Sequence, residues 1–201
     1  MKRILPFFSY FFHPIFTAVF ASLVYFILTP RYFVYEVIYL YIMQILVVTV
    51  LIPLACFYLL LMLQKIDSIM VPSVSQRKIP LILHILLLGM LILKSTTLDA
   101  IPELFYFYLG SMISSGVALL LVFFHKKASL HMLGMASLTV FSISCCLHFQ
   151  SKEVVFIALL LFCNGLVASS RLLMKAHTAN ELILGYLTGL LPQLFLLFFW
   201  L

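Results

Sequence analysis

The sequence predicts an all-α fold, a polytopic bundle of six or seven transmembrane helices, and three observations carry that expectation. Hydrophobic residues make up 65% of the 201-residue chain and charged residues 9%, whereas a soluble domain holds roughly 45–50% apolar and about 25% charged residues. A core of this size cannot hide such a surplus of apolar surface, so lipid must act as its solvent. The apolar runs are also long. Several reach the roughly 17–25 residues that a helix needs to cross the hydrocarbon. Finally, runs such as Ile157–Leu161 and Leu194–Trp200 are apolar throughout. The strands of a membrane barrel alternate instead, and only a helix satisfies its own backbone within one segment.

Taken in order, the first span is expected at about 13–29, ended by Pro30-Arg31. Met1-Lys2-Arg3 before an apolar stretch superficially resembles a signal peptide. The stretch continues to Leu28 with no clear cleavage site, so a retained helix is expected. The second span, about 36–63, contains Pro53, which is expected to kink it. A polar loop, Gln64–Ile79, leads to the third and shortest span at about 80–96. The connector Ser95–Glu103 precedes a fourth span at about 104–124. The fifth to seventh follow at about 131–148, 153–173 and 180–201. With no low-complexity linker and no repeat, residues 1–201 read as a single transmembrane domain.

Seven spans place Lys2, Arg3, Lys65, Arg77, Lys78, Lys126, Lys127, Arg171 and Lys175 on one side, against Arg31, Lys94 and Lys152 on the other. The positive-inside rule puts the cation-rich side in the cytoplasm. The net charge of +6 therefore points to orientation and anionic headgroups rather than to nucleic acid. Cys56, Cys145, Cys146 and Cys163 all fall within apolar runs and without zinc-ligand spacing, so they read as small apolar residues. His84, His148 and Asn164 are expected to face the bundle interior, and His13 and His125 the interface. Gly185 and Gly189 form a small-xxx-small pair for close helix packing. The tyrosines of Tyr32–Tyr41 and Tyr106–Tyr108 suit an aromatic belt.

Three polar clusters fall on the cation-rich face. The first is Gln76-Arg77-Lys78-Ile79-Pro80 and the second Lys127-Ala128-Ser129-Leu130-His131. The third is Ser170-Arg171, five residues, His177, three residues, Glu181. Two arginines and a lysine can grip a phosphate through charge-assisted bonds. Ser129 and Ser170 can add hydroxyls, and the free N–H groups where the fifth and seventh helices begin can add an anion site. Of two histidines, one can attack phosphorus and the other protonate the leaving alkoxide. Glu181, four residues after His177, shares its helical face and can fix its tautomer. Thr178-Ala179-Asn180-Glu181 reads equally as a helix capping box.

Over about residues 64–190 this pattern resembles the type 2 phosphatidic acid phosphatase superfamily, in a divergent bacterial membrane branch. That family's third motif is Ser-Arg, five residues, His, three residues, Asp. Ser170, Arg171 and His177 match its spacing, with Glu181 in place of Asp. Its second motif, Pro-Ser-Gly-His, reads Ala128-Ser129-Leu130-His131 here. Its first, Lys, six residues, Arg-Pro, keeps only Arg77, with Met70 at the lysine position and Pro80 displaced by two. The resemblance implies a bacterial inner-membrane enzyme acting on a lipid with a phosphorylated headgroup. His177 would be the nucleophile, His131 the general acid and Glu181 its orienting carboxylate. Arg77, Arg171, Ser129, Ser170 and Lys127 would hold the phosphoryl oxygens. It implies no metal and no other cofactor. The departures matter chemically. Leu130 puts a side chain where the backbone must approach phosphate closely, and the missing lysine removes one charge. A catalytically impaired protein that binds or moves a phospholipid, or supports a partner, is therefore the alternative expectation, with a small transporter third.

Overall fold

The computed structural model describes residues 5–68, 73–94 and 100–201. Lys2, Arg3, Met70, Ser95 and Asp99 lie outside the described residues. So do the last two positions of the third expected span. The described residues form nine α-helices: α1 Leu5–Phe11, α2 Thr17–Leu28, α3 Tyr35–Leu46, α4 Ile52–Met62, α5 Lys78–Lys94, α6 Pro102–Phe123, α7 Leu130–His148, α8 Val154–Leu173 and α9 Ala179–Leu197. No strand occurs among them. Six helical segments are long and apolar enough to cross a membrane, or seven if the bent pair α1 and α2 is one span. The outer faces agree with that solvent. Leu40, Leu86, Leu120, Phe162 and Phe195 all stand exposed, an apolar girdle far larger than water tolerates on a soluble monomer.

Two helix interruptions have proline causes. Pro14 lacks an N–H and pushes the preceding His13 into extended backbone, so the chain bends by 41° between α1 and Pro14–Leu28. His13 Nδ1 accepts from Ile15 N at 3.3 Å and caps the new start. The expected first span thus begins earlier, as a broken pair. In the second, a π-helical turn, Val47–Leu51, joins α3 to α4 directly before Pro53. The widened turn accommodates the proline inside a continuous Tyr35–Met62 span.

Helix α7 is the axis of the bundle and packs against α2, α6, α8 and α9. Its buried residues include Gly134, Ala136, Ser137, Ser142 and Ser144 among larger apolar ones such as Met135, Leu138 and Phe141. Ser142 returns its hydroxyl to Leu138 O at 2.8 Å and Ser144 to Val140 O at 2.7 Å, while Ser137 donates to Gly189 O of α9 at 3.1 Å. Small residues let backbones approach where lipid gives no hydrophobic drive between helices. The expected glycine pair does this on α9. A Cβ at Gly185 would meet the Ser129 backbone, and one at Gly189 the Leu133 carbonyl. Those two contacts hold the first turns of α9 against the N-terminal end of α7.

Candidate functional site

The three polar clusters come together at one end of the bundle. Arg77, expected in a loop, lies instead in a 3-10 turn, Ser75–Arg77, that runs into α5. It is buried, and its Nη1 donates to Ala128 O at 3.0 Å. That bond ties the first cluster to the second. Ser129 N donates to Glu181 O at 3.0 Å and ties the second to the third. The result is a cavity of about 140 Å³, with Arg77, His131, Arg171 and His177 all in its wall.

His177 sits in the short connection before α9. Its Nδ1 lies 2.8 Å from Glu181 Oε2. A carboxylate only accepts, so Nδ1 carries the proton and Nε2 keeps its lone pair. Burial pushes the imidazole down to about 4, and Arg77, Lys127 and Arg171 push the same way against the opposing Glu181 bond. The ring is therefore neutral at pH 7 with a free nitrogen, the form a nucleophile needs. Glu181 also completes the capping box, with Thr178 Oγ1 accepting from Glu181 N at 3.4 Å and Glu181 Oε2 accepting from Thr178 N at 3.3 Å. Both roles expected for this carboxylate coexist because the N-cap of α9, Thr178, directly follows His177.

His131, in the first turn of α7, places Nε2 3.0 Å from Ser9 O. A carbonyl only accepts, so Nε2 donates and Nδ1 remains for proton exchange. The ring also meets the edge of His13 at 5.2 Å between centroids. Arg171 is buried near the C-terminal end of α8 with no carboxylate partner among the described residues. Its Nε has no hydrogen-bond partner, and Nη1 contacts only the Met174 sulfur, at 4.0 Å. A buried cation in that state favours an anion as its missing partner.

Three of the expected phosphate ligands are placed otherwise. Ser129 is fully buried as the N-cap of α7, its Oγ accepting from Met132 N at 3.4 Å. Ser170 is fully buried against Ser9, with the two hydroxyls 2.7 Å apart. Lys127 Nζ donates to Ala176 O at 2.8 Å, and burial and neighbouring Arg77 lower its affinity for a proton. None of the three lines the cavity, because each polar group already serves a cap or a helix-to-helix tie. They position the wall rather than form it. Of the helix-start N–H groups, Met132 N is engaged by Ser129 and Glu181 N by Thr178.

Conversely, His13 and His84 line the cavity although the site reading did not include them. His84 carried a usable signal: it lies seven residues after Arg77 and so shares its helix face. His13 carried none, because only the bend at Pro14 brings it over α7. In the described residues no group of three or more His, Cys, Asp or Glu side chains is arranged to hold a metal ion. Comparison with known proteins finds no matching family model, no matching curated protein and no matching solved structure.

Proposed function

We propose that this chain is an integral membrane phosphatase or phosphotransferase that acts on a lipid phosphate through a phosphohistidine on His177. The observation that carries this reading is the shared cavity, in which a neutral histidine held by a carboxylate faces a second histidine and two buried arginines. Nε2 of His177 attacks phosphorus and the bond from phosphorus to the lipid oxygen breaks. His131 enters the step as the imidazolium, its Nε2–H held by Ser9 O, and gives its Nδ1 proton to the departing alkoxide. Water then attacks the phosphohistidine, gives a proton back to His131, and inorganic phosphate leaves. Arg77 and Arg171 neutralise the charge that builds on the equatorial oxygens. Phosphatidate, phosphatidylglycerol phosphate, polyprenyl phosphates and lipid A phosphate are the substrate classes. The resemblance to the type 2 phosphatidic acid phosphatases and the charge asymmetry favour a bacterial inner membrane with the site on the cytoplasmic face.

Purified protein should release phosphate from such a lipid, and His177→Ala should reduce release by more than about 10³-fold. Equal activity in that variant would sink the mechanism. One observation favours a second reading, lipid-phosphate binding without turnover. Leu130 lines the cavity where the related motif has glycine. Binding with no release across the four lipid classes would select it.

A further inference from the structure

The cavity continues well below its charged mouth. Along α5 it is lined by Arg77, Pro80, Leu81, His84 and Leu88, a spacing of three, four and seven that keeps one face of the helix. Opposite them it reaches Phe57 and Phe107, so its depth is largely apolar and suits a hydrocarbon chain. His84 interrupts that surface. It stands about 10 Å of helical rise below Arg77, and helical side chains lean back toward the N-terminal end, which shortens the gap. Its imidazole has no hydrogen-bond partner among the described residues. Beside it, Ser115 and Ser137 line the same cavity with their hydrogens already given to Ser111 O, at 2.8 Å, and Gly189 O, at 3.1 Å. The depth therefore offers the imidazole N–H of His84, the hydroxyl of Ser111, whose oxygen accepts from Gln193 Nε2 at 3.4 Å, and several acceptor oxygens within an apolar slot.

A purely hydrocarbon chain in that slot would leave the imidazole stranded, and burying a polar group without a partner is costly. An oxygen-bearing linker would satisfy it. We propose that His84 is a specificity-determining residue that recognises the ester oxygens of a glycerol-type lipid phosphate and disfavours a polyprenyl phosphate, whose chain carries no oxygen at that depth. The proposal rests on the lipid-phosphate reading above and names its substrate class.

The test is binding, which needs no turnover. Apparent Kd values for dioleoyl phosphatidate and for a polyprenyl monophosphate are measured by thermal shift on the full-length protein in detergent. Wild-type protein should bind phosphatidate at least about tenfold more tightly, the scale of one buried hydrogen-bond partner. His84→Leu should erase that ratio by weakening phosphatidate alone, and His84→Gln, which keeps a donor and an acceptor, should retain most of it. No preference in the wild type, which depends on no variant's folding, overturns the proposal. So does an equal loss on both lipids in His84→Leu. Preference without phosphate release upholds it while refuting the phosphatase reading, and release without preference does the reverse. Failure to bind either lipid overturns both.

Discussion

The two ends of the bundle hold similar residues in opposite arrangements. At the far end, Glu103 is almost fully buried at the start of α6, with Oε1 3.1 Å from Arg31 Nη2 and 3.5 Å from His148 Nε2. Here an acid is buried and the partly exposed Arg31 and His148 close over it, which fastens the chain after α2 and the end of α7 to α6. At the cavity end Arg77 and Arg171 are buried. Glu181 is engaged by His177 and by the helix cap, leaving Arg171 without an acidic partner among the described residues. The difference teaches that charge alone does not mark a site. One cluster pairs its acid with two side chains and serves packing, although Glu103 Oε2 is left without a hydrogen-bond partner, while the other holds a buried cation that the proposed reading pairs with a lipid phosphate.

The largest effect that would sharpen this contrast is at Glu181. Glu181→Gln keeps the shape and a possible cap but loses the charge and the clear acceptor that fixes Nδ1–H of His177. An imidazole left in the wrong tautomer costs a comparable hydrolase about 10⁴-fold, so turnover should fall by roughly 10²–10⁴ with little change in lipid binding. A loss confined to binding would place Glu181 in the cap alone.

Next is Arg171→Met, which preserves the stem and removes the charge. Lipid-phosphate affinity should drop by about 10–150-fold, the scale of hydrogen bonds to a charged group. The melting temperature should not fall, because removing a buried, unpartnered cation relieves a cost. A lower melting temperature with unchanged lipid affinity would make this end structural after all. The far end should behave inversely. Glu103→Ala should lower stability in detergent by about 1–3 kcal/mol, with the half-exposed Arg31 contributing little, and leave phosphate release unchanged. A fall in turnover at matched stability would show that the two ends are coupled.

What was legible follows from what kind of signal each residue carries. Hydrophobic length placed the spans, and even the third, ending at Lys94, is long enough when counted from Ser75. Spacing within one segment placed His177 and Glu181 together, since four residues across a helix start leave few geometries. Residues joined across segments were harder. Ser129 and Ser170 matched a phosphate-binding pattern, but their hydroxyls are committed to a cap and to Ser9, and the Ser9 contact depends on α1 folding back onto α8. That short helix was invisible because Pro14 splits its apolar run. His84 was read correctly as facing the bundle interior, but its place in the cavity depends on the register of α5 against α6 and α7, which no single segment encodes.

The smallest and most specific prediction concerns pH. His177 binds a proton at about 4 in the folded protein and near 6.5 when unfolded. The unfolded chain therefore holds more protons between those values, so this group's contribution to stability is complete above about pH 6.5. It is lost as pH falls toward 4. Turnover follows the folded value, because the neutral ring is the nucleophile. The acid limb of phosphate release should have its midpoint near 4, with a second limb toward alkaline pH where His131 loses the Nδ1 proton that it gives to the leaving group. The Glu181 bond favours the protonated ring, so Glu181→Gln should move the acid limb lower still. An acid limb near 6.5 in the wild type would mean that His177 is solvated like an ordinary surface histidine. The cavity end would then lose the feature that most separates it from the far end, a buried neutral nitrogen held among cations.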